Sequence, residues 1–129
     1  MWYNKKTKLK RRCHMQLFLN QPFTPQGSNV VEQKAVGNQT HMYTVQGNTF
    51  QYKVYTDANN NITKVIAISS RELAPADYFI QNVNTCTKKL IMRVPLRMAM
   101  YEYTCPTGTY KYTTFGTIGF LTTTAEVVR

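Results

Sequence analysis

The stretch "LIMRVPLRMAMYEY" (90–103) is the most apolar run in the chain, and Pro95 sits inside it. A helix there would lose a backbone hydrogen bond and suffer the proline ring clash, at about 3 kcal/mol. It would also turn apolar residues to every side. A membrane span needs about twenty predominantly apolar residues, and this run is shorter and interrupted by Arg93 and Arg97. Period two fits better. The even positions Leu90, Met92, Val94, Leu96, Met98 and Met100 form an unbroken apolar set, while the odd positions include Lys89, Arg93, Arg97, Tyr101 and Tyr103. This alternation predicts one long strand over 89–103 with its even face on a core, and Pro95 predicts an edge position or a bulge.

The same period runs through much of the chain. "HMYTVQ" (41–46) and "TFQYKVYT" (49–56) flank Gly47-Asn48, a two-residue hairpin signal. "DANNN" (57–61) supplies turn chemistry before the β-branched "ITKVIAIS" (62–69), which completes a predicted antiparallel meander. "TCPTGT" (104–109) reads as a turn, and "YKYTTFGTIGFLTTT" (110–124) as strand, with bulges or bends at Gly116 and Gly119. "MQLFL" (15–19) predicts a short tie between the N-terminus and the body. "SSRELAPADYFIQNV" (69–83) is the one good helix candidate, because Ser69 and Glu72 have capping-box spacing and Pro75 permits a helix start nearby. The expected fold is all-β or β-dominated: an antiparallel sheet, sandwich or barrel of about seven strands, with one short helix. The expected organisation is a basic N-terminal arm (1–12) followed by one β-rich domain (13–129).

Charge narrows the partners. Sixteen Lys and Arg against six Asp and Glu give a formal +10, which implies a polyanionic partner. Lys5, Lys6, Lys8, Lys10, Arg11 and Arg12 hold six of those sixteen cations, and residues 1–31 carry no acid. Along the predicted strand Lys89, Arg93 and Arg97 recur every four residues, followed by Tyr101 and Tyr103; Lys111 follows on the next strand. Cations neutralise phosphates, and tyrosine rings stack on unpaired bases at about 1–3 kcal/mol each. These twelve residues, six in the arm and six in the body, are the candidate nucleic-acid contacts. An ordinary solvated strand face is the competing account of the body residues. Targeting, or attraction to anionic lipid, is the competing account of the arm.

Catalytic chemistry finds little support. His14 and His41 are the only histidines, and HExxH, GxSxG, GxxxxGK[ST] and GxGxxG are absent. Cys13 and His14 are adjacent and would point to opposite faces of a strand, while Glu72 and Asp77 flank the expected helix start and suit capping. A non-enzymatic protein is expected, with no catalytic residues, no metal, no cofactor and no small-molecule substrate. The three cysteines, Cys13, Cys86 and Cys105, lack CxxC spacing and are odd in number, so free thiols and a reducing intracellular or virion environment are expected. "MQLFLNQPF" breaks at Asn20, Gln21 and Pro22, so no signal peptide is expected, and the triplets at Asn38 and Asn61 read as chance.

In length and strand content the chain is loosely similar to small RNA-phage coat proteins. Its final "TTTAEVVR" departs from the amphipathic C-terminal helices usual in such coats. Three functions follow as expectations. The first is a structural coat or nucleocapsid-type protein of a virus or phage that self-assembles as a homo-oligomer and contacts RNA or single-stranded DNA. The second is a single-strand-binding module with an OB-like barrel. The third is a protein-interaction or host-modulating module with a basic targeting arm.

Overall fold

A computed structural model describes residues 17–24, 30–47, 51–69, 73–117 and 120–128. They build one antiparallel sheet of eight strands: β1 (Val30–Gly37), β2 (Thr40–Gln46), β3 (Gln51–Thr56), β4 (Ile62–Ser69), β5 (Thr87–Val94), β6 (Met98–Cys105), β7 (Gly108–Thr117) and β8 (Phe120–Val128). Their spatial order is β1-β2-β3-β4-β8-β7-β6-β5. Two four-stranded meanders thus meet at the β4–β8 seam, and β1 and β5 are the edges.

Side-chain alternation decides which face is covered. Tyr43 and Val45, Tyr52 and Val54, Val65 and Ala67, Thr123 and Ala125, Tyr110 and Tyr112, and Tyr103 share one face, and all are buried. Two non-sheet segments lie on them. Leu17, Leu19 and Phe23 form one; Leu73, Tyr78, Phe79 and Ile80 form the other. The Leu17 and Leu19 amides donate to the Tyr78 and Phe79 carbonyls, so the two segments brace each other. Phe79 is fully buried 6.2 Å from the Tyr112 ring, and the Tyr112 hydroxyl donates to the Leu73 carbonyl. Burying aromatic bodies while pairing the phenol lets tyrosine fill this core.

Several local expectations hold. Asp57 Oδ1 accepts from the Asn59 and Asn61 amides at 2.9 and 3.0 Å, so "DANNN" folds as an aspartate-anchored turn before β4. Pro75 opens the short helix α1 (Pro75–Tyr78). Its N-cap is Ala74, with no side-chain cap, and Ser69 instead closes β4, so the capping-box reading of Ser69 is wrong. Gly116 marks neither a bulge nor a break: it pairs in register with Leu121 within β7, and glycine is needed there because its φ is +131° and a Cβ would run into the Phe120 carbonyl oxygen. The Gly47-Asn48 hairpin tip and Gly119 include residues outside the described set.

Other expectations are corrected. β1 went unpredicted, yet it pairs with β2 through a two-residue turn at Asn38-Gln39, where Gln39 has φ 60°. The long strand over 89–103 is two strands. Val94 accepts from the Arg97 amide at 3.0 Å across Pro95-Leu96, so Pro95 takes the second position of a tight turn that proline favours. Cys86 and Cys105 form a disulfide that joins the start of β5 to the end of β6, against the expectation of free thiols.

Candidate nucleic-acid interface

The β5–β6 hairpin carries the body's densest positive charge. Residues 87–105 hold Lys88, Lys89, Arg93 and Arg97 against one acid, Glu102, which lies opposite Lys89, and residues 78–101 hold no acid. All eight residues of β5 are exposed, and β5 pairs with β6 alone, so its outer side is a sheet edge. Lysine and arginine on an edge discourage pairing with another strand and leave the cations facing solvent.

A bulge between Leu90 and Met92 sets the distribution of those cations. Before it, Leu90 lies opposite Tyr101 and Lys88 opposite Tyr103, on the covered side of the sheet. After it, Met92 and Val94 lie opposite Met100 and Met98 on the other side, and Arg93 lies opposite Ala99. The extra residue reverses the parity of everything beyond it. Lys88 and Arg93 therefore project to the covered side of the edge, Lys89 to the opposite side, and Arg97 belongs to the turn. A polyanion running along β5 meets cations on both flanks. The expected inward set of Leu90, Met92, Val94, Leu96, Met98 and Met100 is not a core face: Leu90, Met92, Val94 and Leu96 are exposed, and Leu96 is 90% exposed at the turn.

The two tyrosines differ from expectation. Tyr103 is 6% exposed, and Tyr112 packs against it edge-on at 6.5 Å, so no face of its ring is free for a base. It is a core residue, placed there by its β6 parity. Tyr101 is half-buried, and the Lys88 ammonium lies 4.3 Å from its ring centroid, which orients that cation at the edge. The sequence reading passed over Lys88 because it sits on the even face. Adjacency to Lys89 in an acid-free stretch was the available signal.

Lys111 lies on the opposite face, two strands in from the edge. The register sets Lys64, Glu126, Lys111, Glu102 and Lys89 side by side across β4, β8, β7, β6 and β5. Signs alternate along this row. Lys64 Nζ is 3.8 Å from Glu126 Oε1, and both side chains are about a third exposed or more, so the pair is worth little by itself. Lys111 has an acid on each neighbouring strand, which offsets its charge, while Lys89 at the end of the row shares only Glu102 and faces solvent on its outer side. Further along the same face the polarity changes: Ile68, Thr122, Phe115, Met98 and Val94 make a parallel row, in which Ile68, Phe115 and Val94 are exposed.

The arm residues Lys5, Lys6, Lys8, Lys10, Arg11 and Arg12 lie outside the described residues. Among the described residues, no group of three or more His, Cys, Asp or Glu could hold a metal ion, and no helix is long and apolar enough to cross a membrane. No protein-family model, curated protein or solved structure shows a significant match to this chain.

Proposed function

We propose that this chain is a non-enzymatic structural protein of the coat or nucleocapsid type, which assembles with copies of itself and binds RNA or single-stranded DNA. One observation carries the reading: an exposed sheet edge with three cations, Lys88, Lys89 and Arg93, extended by Arg97 at its turn and faced by a single acid, Glu102 opposite Lys89, in a chain of net charge +10 with six further cations at residues 5–12. Phosphate contacts of this kind give affinity without sequence preference. The exposed row of Ile68, Phe115 and Val94 supports the assembly part, because contiguous apolar surface on a soluble domain is commonly a contact surface. The burial of Tyr43, Tyr52, Tyr103, Tyr110 and Tyr112 leaves few rings for an aromatic stacking platform, which favours this reading over the single-strand-binding module.

Sizing the purified full-length chain before and after nuclease treatment tests it. A large particle that protects nucleic acid is the expected result. A small species free of nucleic acid, with no retention of added oligonucleotide at low salt, would refute it.

A further inference from the structure

We infer that the hollow beneath the β5–β6 turn receives one unpaired base of a polynucleotide whose phosphates follow the β5 edge. The inference rests on the nucleic-acid reading above and narrows it to single strands. The hollow measures about 690 Å³, within the range of small-molecule sites. Its wall combines the guanidinium-bearing Arg93 and Arg97 with the apolar Pro95, Ala99 and Leu121. No acidic residue is among its described lining, so nothing described there repels an anion.

The turn is fixed over this hollow. The Gly116 amide donates to the Arg97 carbonyl at 2.8 Å, and Gly116 is held at a φ that side chains rarely adopt. That bond ties the β5–β6 turn to β7, so the arginine-bearing rim and the apolar floor keep their spacing without a ligand. A flat, weakly polar ring matches the floor. Guanidinium groups suit the rim, because they neutralise phosphate and also stack on base faces.

Continuity with the edge selects a nucleotide over other anions with an apolar body. A fatty carboxylate would engage one charge and leave Lys88 and Lys89 without a role, whereas a polynucleotide reaches all four cations as its backbone passes. A base inside a duplex is stacked and paired, so entering the hollow would cost its unpairing, and a strand that is already single enters freely. The consequence is preference for single strands without sequence preference.

The test compares three ligands on the full chain by fluorescence anisotropy: an unstructured oligonucleotide, an abasic strand of equal length, and the corresponding duplex. The base-bearing strand is expected to bind about tenfold more tightly than the abasic one, in line with the range for a single base contact. Ala99→Phe fills the hollow and is expected to reduce that ratio below about threefold while keeping the salt slope of the abasic strand. Should Ala99→Phe fail to fold, [13C-methyl]leucine spectra of the unaltered protein serve instead. There the Leu121 signal, on the same face as Ala99, is expected to shift with the base-bearing strand and stay in place with the abasic one. Equal binding of base-bearing and abasic strands, a base preference that survives in folded Ala99→Phe, or a Leu121 signal blind to bases would each overturn the inference and leave the polyanion reading standing. Failure of all three ligands to bind would overturn both.

Discussion

Leu96 is the residue whose replacement most cleanly separates backbone geometry from packing. Its φ is 61°, in the left-handed region, at the third position of the Val94–Arg97 turn, where glycine or asparagine is usual. A residue with a Cβ held there costs roughly 1–2 kcal/mol. The side chain is 90% exposed, so removing it forfeits almost no burial. Against the relief stands the extra freedom of glycine in the unfolded chain, about 0.5–1 kcal/mol. Leu96→Gly is therefore expected to stabilise the protein by about 0.5–1 kcal/mol, which for a domain of this size raises Tm by about 2–4 °C. Leu96→Val, β-branched at the same φ, is expected to destabilise by a similar amount. Urea titrations with a common m-value, backed by thermal scans, read both signs. A Leu96→Gly protein less stable than the parent, together with an unchanged Leu96→Val protein, would refute the assignment of strain to this turn.

Two further predictions concern the body. Burial holds the Tyr52 phenol well above its ordinary value, with a smaller contribution from the Tyr78 phenol. A raised phenol contributes stability that is complete below the unfolded value of about 10 and is lost as pH rises above it. Urea midpoints of the parent should fall between about pH 10 and pH 12, and Tyr52→Phe should fall less; parallel curves would contradict this. The Cys86–Cys105 disulfide spans 19 residues of sequence, so replacing both with serine should cost about 3 kcal/mol under oxidising conditions. A loss below about 1 kcal/mol in urea titrations would show that the hairpin needs no crosslink.

The β character of the chain was legible because it is repeated. "TFQYKVYT" and "ITKVIAIS" alternate or are β-branched, and Asp57 with its asparagines announces the turn between them. What escaped was set by single residues whose effects are not periodic. Pro95 is compatible with an edge, a bulge or a turn, and only the pairing of Met98 with Val94 and Phe115 shows that the chain reverses there. The bulge after Leu90 exchanges the faces of Met92 and Arg93, which an unbroken alternation conceals. β1 is mostly exposed and carries Glu32, Gln33 and Lys34, so it lacks the apolar signal of a buried strand. The cysteine pairing depends on β5 lying beside β6, which spacing along the chain does not express. The candidate site was legible as charge along one stretch of chain, but not as one face: the bulge sends Lys89 and Arg93 to opposite sides of the sheet, and Arg97 lies in the turn. Tyr103 and Lys111 left the group because strand parity assigned them to the core and to a charge-balanced row.

The salt dependence of single-strand binding tests the central claim most directly. Each phosphate contact contributes about 0.7 to the slope of log K against log salt. Replacing Lys88, Lys89, Arg93 and Arg97 with glutamine in the full chain is therefore expected to lower that slope by about 3, with the fold retained. An unchanged slope in a folded variant would place the phosphates elsewhere and contradict the account of β5 as the nucleic-acid edge.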